Sequence, residues 1–198
     1  MGDVVRVEGP DAATYLQGQL SQDVDGDGEW TFVLEPTGHI VALAHLTRDG
    51  ETFDLEVDSG LGERVEARLR KFLLRTKATI TLTPGTTDDV ARVRDGRPGA
   101  PEFDERSSPA ETGWVDRAVS FTKGCYTGQE LVARMDSRVA EPPRRLVRVS
   151  ADVDLAPGDP IVVDGVEVGH VTSAAGRVGL GYVKRGTTLD GRLEFVGA

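Results

Sequence analysis

Residues 123–130 read KGCYTGQE and contain Cys125, the only cysteine in the chain of 198 residues. Gly124 and Gly128 let the backbone on both sides approach a ligand closely or adopt a positive φ angle. A single cysteine cannot form an internal disulfide or a cysteine-rich metal site. The stretch therefore indicates a reactive or ligand-contacting thiol on a tight loop, and the alternative is a small buried hydrophobic residue at the end of a strand.

The residues that follow the cysteine predict a helix. Thr127, with Glu130 three positions later, matches the capping-box pattern, which predicts a helix that starts at Thr127. Cys125 would then lie two residues ahead of a helix N-terminus, where the dipole and the unpaired N–H groups favour a thiolate. Lys123 would add positive charge if its side chain points the same way.

The segments before this stretch alternate between strand and helix patterns. Leu61, Val65 and Leu69 repeat at helical spacing and predict the clearest helix of the chain. The predicted elements, in order, are a strand in residues 3–9, a helix in 9–24, three strands in 29–60, a helix in 59–77 and a strand in 78–85. Strands and helices in this order predict an α+β fold.

The composition changes in the second half of the chain. Residues 84–113 are rich in glycine, proline and charge, which predicts a short helix at Asp88–Arg94 and otherwise extended loop. Paired prolines predict a linker in residues 141–145. The tail carries about five short alternating strands with glycine-rich turns and one Asp-Gly hairpin signal, a pattern typical of a small β-barrel. We therefore expect an α+β domain in residues 1–140 and a barrel domain in residues 141–198.

The charge and hydropathy of the chain limit the classes of partner. The net charge of -10 and the pI near 4.8 give an acidic surface that repels phosphate backbones, so nucleic acid is not expected as a partner. No apolar run approaches the roughly 20 residues that a membrane helix needs. The first residues lack the basic and apolar regions of a secretory signal. We expect a cytoplasmic protein, monomeric or dimeric, without a membrane partner.

The stretch DVDGDGEW, residues 23–30, is similar to the start of a calcium loop. Asp23, Asp25 and Asp27 have the required spacing, but Leu34 stands where the final bidentate glutamate should be. A predicted strand rather than a helix follows. The three histidines stand singly, without metal-ligand spacing. An acidic turn is therefore favoured over calcium, and no metal site is predicted.

The motif KGCYTGQE followed by LVAR resembles the signature of the YgfZ family, folate-binding and iron–sulfur-related proteins in the glycine-cleavage T-protein superfamily. Four further stretches resemble that family in the same order. DAATYLQGQLSQDV resembles its N-terminal helix motif, LEPTGHIVALAHLTRDGETFDLEVD its strand block, RVRDGRPGAPEFDERSSPAETG its lead-in to the cysteine, and VDGVEVGHVTSAA with GLGYVKR its terminal barrel. The resemblance covers most of the chain.

This resemblance implies an aminomethyltransferase-like (T-protein) α+β body that forms a folate cleft and is closed by a small C-terminal β-barrel. It implies tetrahydrofolate as the cofactor, iron–sulfur client proteins as partners, and a role in the assembly or repair of iron–sulfur enzymes. Cys125 and Lys123 are the predicted catalytic residues. The predicted cofactor-binding residues are Gly124, Tyr126, Gly128, Gln129, Glu130 and Arg94.

Two departures from the family pattern leave alternatives open. The segment between the strand near Thr79 and the lead-in near Arg92 is shorter than in the family, so part of the cleft wall is expected to be missing unless a partner or a second copy supplies it. The catalytic aspartate of the aminomethyltransferases falls near Val41 and Ala42, and their pterin-binding acid at Arg94, which disfavours aminomethyl transfer. An accessory factor is favoured; the alternatives are a folate-dependent one-carbon transferase and a shortened scaffold that has lost folate binding.

Overall fold

The computed structural model describes residues 2–26, 28–137, 141–189 and 191–197. Its N-terminal part is a five-stranded antiparallel sheet with the strand order β2-β3-β4-β1-β5. The elements are β1 (Asp3–Glu8), α1 (Ala12–Gln17), β2 (Glu29–Leu34), β3 (Ile40–Asp49), β4 (Thr52–Val57), α2 (Gly62–Arg70) and β5 (Thr79–Thr83). The strands and helices predicted for this half are confirmed, although both helices are shorter than the patterns that predict them.

Alternation along the strands gives the sheet one apolar face, which packs against α1 and α2. Val5 and Val7 of β1 and Leu55 of β4 are fully buried on that face. Burial of each such side chain contributes about 1.5–3 kcal/mol relative to leaving it exposed. Arg6 and Asp54 lie between these residues and form an ion pair at 2.7 Å on the opposite face. That opposite face of the sheet provides one wall of the cavity described below.

The glycine- and proline-rich segment contains more regular structure than its composition predicts. α3 (Asp89–Arg94) confirms the predicted short helix, and the Asp88 side chain caps it by accepting a hydrogen bond from the Ala91 N–H at 3.0 Å. The remainder, predicted as extended loop, instead holds a 3-10 helix (Ala100–Glu102) and α4 (Pro109–Thr112), each with a proline in its first turn. α5 (Val115–Ala118) and α6 (Gln129–Ser137) follow. In the described parts of the chain, no helix combines the length and apolar character of a bilayer-spanning segment.

The helix predicted to start at Thr127 starts instead at Gln129, so the capping-box prediction is wrong. Gly128 has a φ angle of 85°, in the left-handed region, and this conformation interrupts helical geometry at that position. The Thr127 hydroxyl lies 3.3 Å from the Gly18 carbonyl oxygen and 3.4 Å from Gln19 Oε1, and it donates there. A contact with a segment distant in sequence therefore replaces the predicted cap.

The C-terminal part is a second five-stranded antiparallel sheet with the order β10-β6-β9-β8-β7. Its strands are β6 (Arg144–Ser150), β7 (Pro160–Val163), β8 (Val166–Ala175), β9 (Val178–Lys184) and β10 (Leu193–Phe195). The predicted Asp-Gly hairpin is confirmed, since Asp164 and Gly165 have φ angles of 50° and 78° between β7 and β8. All five strands contribute to one apolar cluster, formed by Val147, Val149, Ile161, Val163, Val171, Val183 and Leu193. The predicted domain boundary after residue 140 falls at residues 138–140, outside the described residues.

A buried charged junction joins the lead-in segment to the second sheet. The Arg92 side chain is 1% exposed; its Nη1 donates to Glu102 Oε2 at 2.6 Å and its Nη2 donates to Ser173 Oγ at 2.8 Å. Thr172 and Ser173 of β8 both donate to Glu102 Oε1. Burial acts to lower the pKa of Arg92, but the surrounding carboxylates, Glu102 foremost, outweigh burial and raise that pKa. The junction therefore holds a fully charged arginine between α3 and β8.

Candidate functional site

Cys125 lies at the surface of the loop between α5 and α6, residues 119–128, which we term the cysteine loop. The thiol is exposed, and a Cβ atom placed on the neighbouring Gly124 would have no heavy atom within 4 Å. Phe121 on the same loop is 52% exposed. The alternative of a buried hydrophobic cysteine is therefore wrong, and the sulfur is open to solvent and to a partner.

Lys123 anchors the cysteine loop to the segment that follows α1. Its Nζ donates to the carbonyl oxygens of Leu20 at 2.8 Å and Gln22 at 2.7 Å, and lies 5.4 Å from the centre of the Tyr126 ring. Burial lowers the pKa of Lys123 to about 8, and the Asp23 carboxylate acts in the opposite direction. The ammonium group thus holds two backbone carbonyls in place beneath the loop.

Tyr126 and Gly128 fix the other end of the loop by packing. Tyr126 is buried, and burial raises the pKa of its hydroxyl to about 12. At Gly128, an added Cβ atom would lie 2.7 Å from the Glu35 carbonyl oxygen and 2.9 Å from Leu34 Cβ. Only glycine fits between these atoms at this backbone angle. The exposed thiol is therefore presented from a firmly packed base.

A buried arginine of α2, which the sequence pattern does not reveal, supports the same loop. Arg68 Nε donates to the Leu34 carbonyl oxygen at 2.7 Å, and its Nη1 donates to Gln19 Oε1 at 3.0 Å. Gln19 Oε1 is also the oxygen near the Thr127 hydroxyl. Burial lowers the pKa of Arg68. The mixed charges of α2 are typical of a solvated helix face, so only the packing of that helix shows that this arginine is inside.

The low pKa of Lys123 predicts a pH-dependent contribution to stability. The pKa is about 8 in the folded protein against 10.5 for a free lysine, so between these values the unfolded chain binds more protons. Stability therefore rises with pH across this window. We expect the free energy of unfolding, measured by urea denaturation from about pH 8 to about pH 10.5, to rise more steeply in the wild type than in Lys123→Met. Lys71→Met should follow the wild-type slope, and equal slopes for the wild type and Lys123→Met would contradict the assignment.

A cavity of about 310 Å³, which we term the Trp30 cavity, opens on the face of the first sheet that is turned away from α1 and α2. Trp30 of β2 pairs with His45 of β3, and His45 with Glu56 of β4, so the three side chains form a row across the sheet. The Trp30 ring packs tilted against His45 at 5.0 Å and edge-on against Trp114 at 5.3 Å. α3 and Arg97 line the cavity from the other side.

The polar groups that line the Trp30 cavity include Glu56, Asp58 and Arg97. Glu56 Oε1 accepts a hydrogen bond from the Gly2 N–H at 2.8 Å. Arg97 Nη1 donates to Asp58 Oδ1 at 3.0 Å, and the Arg97 guanidinium lies 5.3 Å from the centre of the Trp30 ring. An aromatic face with nearby carboxylate and guanidinium groups suits a flat heterocycle that carries N–H donors and an anionic substituent.

The residues of this cavity are not recognisable from their sequence pattern. Trp30, His45 and Glu56 each stand at alternating strand positions, a pattern that indicates an exposed sheet face as readily as a site. Only the register of β2, β3 and β4 aligns them, and Arg97 joins them from outside the sheet. The available signal was a tryptophan at an alternating position of a predicted strand.

The predicted cofactor-binding residues divide between two regions. Gly124, Tyr126 and Gly128 belong to the cysteine loop, as described above. Gln129 is half-buried and Glu130 exposed at the start of α6. Arg94 is exposed at the end of α3, and its carbonyl oxygen accepts a hydrogen bond from Arg148 Nη2. Among the described residues, α3 lines the Trp30 cavity through Ala91 and Arg92 rather than through Arg94.

The position at which aminomethyltransferases carry their aspartate lies inside the core here. Val41 is 1% exposed and Ala42 is fully buried on β3. Neither side chain can accept a proton or stabilise a cationic intermediate. The geometry of β3 thus offers no acid or base at that place.

The acidic turn after α1 makes the contacts of an ordinary turn. Asp25 pairs with Arg48 at 3.3 Å, and its backbone N–H donates to Asp23 Oδ1 at 3.1 Å. Asp27, the third acid of the calcium-like pattern, lies outside the described residues. Over the described ranges, no group of three His, Cys, Asp or Glu side chains is placed to hold a metal ion.

A series of contacts connects the Trp30 cavity with the cysteine loop. Trp114, which packs against Trp30, immediately precedes α5, and α5 leads into the loop. The Ser120 N–H donates to the Ser21 carbonyl oxygen at 2.9 Å, and Ser21 Oγ donates to the Ala118 carbonyl oxygen at 2.6 Å. The loop therefore contacts the β2 edge of the first sheet. The face of that sheet that is turned away from α1 and α2 lines the cavity.

Comparison with known proteins finds a family model that matches the C-terminal part and relatives that match half or more of the chain. Residues 144–196 match the family model of the CAF17 C-terminal beta-barrel domain. The chain is 27% identical over 202 residues to a mitochondrial iron-sulfur cluster assembly factor IBA57 homolog of Pyricularia oryzae, with 68% of this chain and 52% of that protein covered. It is 36% identical over 115 residues to a putative chloroplastic transferase of Arabidopsis thaliana, with 54% of this chain and 26% of that protein covered. The chain thus spans about half or less of the length of these two relatives.

Among solved structures, the glycine cleavage system aminomethyltransferase T from Bartonella henselae superimposes with a TM-score of 0.64 at 17% sequence identity. The match covers 99% of this chain and 80% of that one. The likeness shows the fold: an aminomethyltransferase-like α+β body followed by an antiparallel C-terminal sheet domain. The predicted fold class is confirmed.

Proposed function

We propose that this protein is a cytoplasmic accessory factor for the assembly or repair of iron–sulfur clusters, with Cys125 as its working thiol and tetrahydrofolate as its ligand. The observation that carries the proposal is the exposed thiol on a loop whose flanking residues are anchored by packing and hydrogen bonds. The match of the C-terminal part to the CAF17 domain and the similarity to an IBA57 homolog support the iron–sulfur role. The resemblance of residues 123–130 to the YgfZ signature supports tetrahydrofolate as the ligand and Cys125 as the working thiol.

Cys125 can act as a donor to iron because thiolates are the usual protein ligands of iron–sulfur clusters. In the described residues no other cysteine and no group of three metal-binding side chains accompanies it. A cluster bound here would therefore be cargo, held jointly with ligands from an iron–sulfur client protein. The exposed Phe121 on the same loop provides an apolar contact for such a client.

The lining of the Trp30 cavity supports its assignment as the site of the pterin end of tetrahydrofolate. Glu56 can accept hydrogen bonds from the amino and ring N–H groups, and Trp30 offers an aromatic contact. Folate supplies a carrier for one-carbon units when bound. Because Val41 and Ala42 offer no base, we assign these residues to binding and orientation, and propose no transfer step.

The test of the thiol is complementation of cells that lack this protein. We expect Cys125→Ser to reduce the activity of four-iron cluster enzymes to the level of the deletion strain, because serine removes the soft ligand but keeps the shape. Thr122→Ser, on the same loop, should restore wild-type activity. Equal melting temperatures would show that both variants fold, and full activity with Cys125→Ser would refute the role of the thiol.

The test of the ligand is calorimetry with tetrahydrofolate. We expect binding to the wild type, binding weakened about tenfold or more in Glu56→Gln through loss of a charged acceptor, and no detectable binding in Trp30→Ala. Glu51→Gln, in the exposed turn between β3 and β4, should bind as the wild type does. Absence of binding to the wild type would favour the shortened scaffold, and turnover with an aminomethyl donor would favour the transferase.

A further inference from the structure

A second cavity, of about 300 Å³, lies between α4, α5, α6 and the C-terminal sheet. It is separate in its residues from both the Trp30 cavity and the cysteine loop. Its lining combines apolar and polar surface, and its polar side chains come from three separate parts of the chain: Ser108, Asp116 and Arg145. The residues used in the argument below are Ser108, Ala110, Asp116, Val132, Arg145 and Val196.

Arg145 is the unusual residue of this cavity. Its side chain is half-buried, and its guanidinium carbon lies 3.7 Å from the centre of the Phe195 ring. Within the described part of the chain, Arg145 has neither an ion pair nor a side-chain hydrogen bond, whereas the preceding Arg144 binds Glu111 at 3.0 Å and Asp104 at 2.8 Å. A guanidinium that lies against an aromatic ring without an acceptor is suited to bind an anion.

The remaining lining determines what kind of anion fits. Val132 and Val196 are buried and give the cavity an apolar wall. Ser108 is 6% exposed, and its hydroxyl does not cap α4, so it is available to a ligand. Asp116 is exposed at the cavity and disfavours a second negative charge on the ligand. These features together favour a single carboxylate attached to an apolar body.

We propose that this cavity is a binding site for a small monocarboxylate with an apolar body. The carboxylate pairs with Arg145 and accepts a hydrogen bond from the Ser108 hydroxyl. The hydrocarbon part occupies the space beside Val132 and Val196. The site is independent of the proposed folate and thiol functions, because it shares no residue with either.

The probe for this site is 3-phenylpropionate, compared with its uncharged analogue 3-phenylpropanamide and with the dianion glutarate. By calorimetry we expect 3-phenylpropionate to bind with a dissociation constant below about 1 mM, within the range that a ligand of about eleven non-hydrogen atoms can reach. The amide and glutarate should each bind at least about tenfold more weakly. Equal affinity for the acid and the amide, or no binding of the acid, would overturn the proposal.

Two variants locate the site. Arg145→Gln should remove the preference for the acid over the amide, whereas Arg177→Gln, an exposed arginine of the turn between β8 and β9, should leave it unchanged. Ala110→Phe should fill the cavity and abolish binding of the acid and the amide while the melting temperature shows that the protein folds. Binding that survives Ala110→Phe, or a preference for the acid that survives Arg145→Gln, would refute the assignment.

Discussion

Replacement of Arg92 by methionine is expected to lower the free energy of unfolding by about 3–5 kcal/mol, because it leaves the carboxylate of Glu102 buried without its cation. The Glu102 side chain is 0% exposed beside an arginine that is 1% exposed. Its remaining partners are the hydroxyls of Thr172 and Ser173 and the Gly99 N–H, which do not carry a charge. The measurement is urea denaturation at pH 7, with the midpoint and the slope compared between variant and wild type.

Arg94→Met is the matched control, since Arg94 stands one half-turn further along α3 with an exposed side chain. We expect it to change the free energy of unfolding by less than about 0.5 kcal/mol. Addition of Glu102→Gln to Arg92→Met should recover part of the loss, because the unpaired buried charge is removed. A loss below about 1 kcal/mol for Arg92→Met would show that the junction is not an important source of stability.

The regular elements of this fold were predictable because their patterns are local. Strict alternation in β1 and β4 and helical spacing in α2 each reflect one buried face, and the structure contains these elements where the patterns predict them. The cap at Thr127 was not predictable, because its hydroxyl contacts Gly18, more than a hundred residues away in sequence. A capping-box motif takes account only of hydrogen bonds between neighbouring residues, so it does not anticipate a contact with a residue distant in sequence.

The candidate site likewise combines features that the local sequence predicts with features that depend on tertiary packing. Cys125 and its two glycines lie within residues 124–128, so the tight loop could be anticipated from the sequence, whereas the exposure of the thiol was one of two alternatives. Arg92 and Glu102 lie in a segment whose charge and glycine content indicate solvated loop, and only tertiary packing buries them together. The Trp30 cavity likewise depends on strand register, which single-sequence patterns determine poorly.

Gly128→Ala is expected to destabilise the protein by about 2–5 kcal/mol, as the sum of a left-handed backbone angle for a residue with a Cβ atom and a local overpacking. The φ angle is 85°, and the new atom would lie 2.7 Å from the Glu35 carbonyl oxygen and 2.9 Å from Leu34 Cβ. Because these contacts involve backbone, the loop rather than its neighbours must move. We expect the variant to fail in complementation even though Cys125 is still present.

Gly124→Ala provides the control within the same motif. Gly124 is exposed, has no positive φ angle, and an added Cβ atom would meet nothing within 4 Å. Its stability should stay within about 1 kcal/mol of the wild type, on the stabilising side, because alanine restricts the unfolded chain. Denaturation curves for both variants, with the rate of thiol alkylation at Cys125, separate displacement of the loop from loss of the fold. If Gly128→Ala proves as stable and as active as Gly124→Ala, the cysteine loop does not depend on its packing against Glu35, and the anchored-thiol arrangement loses its physical basis.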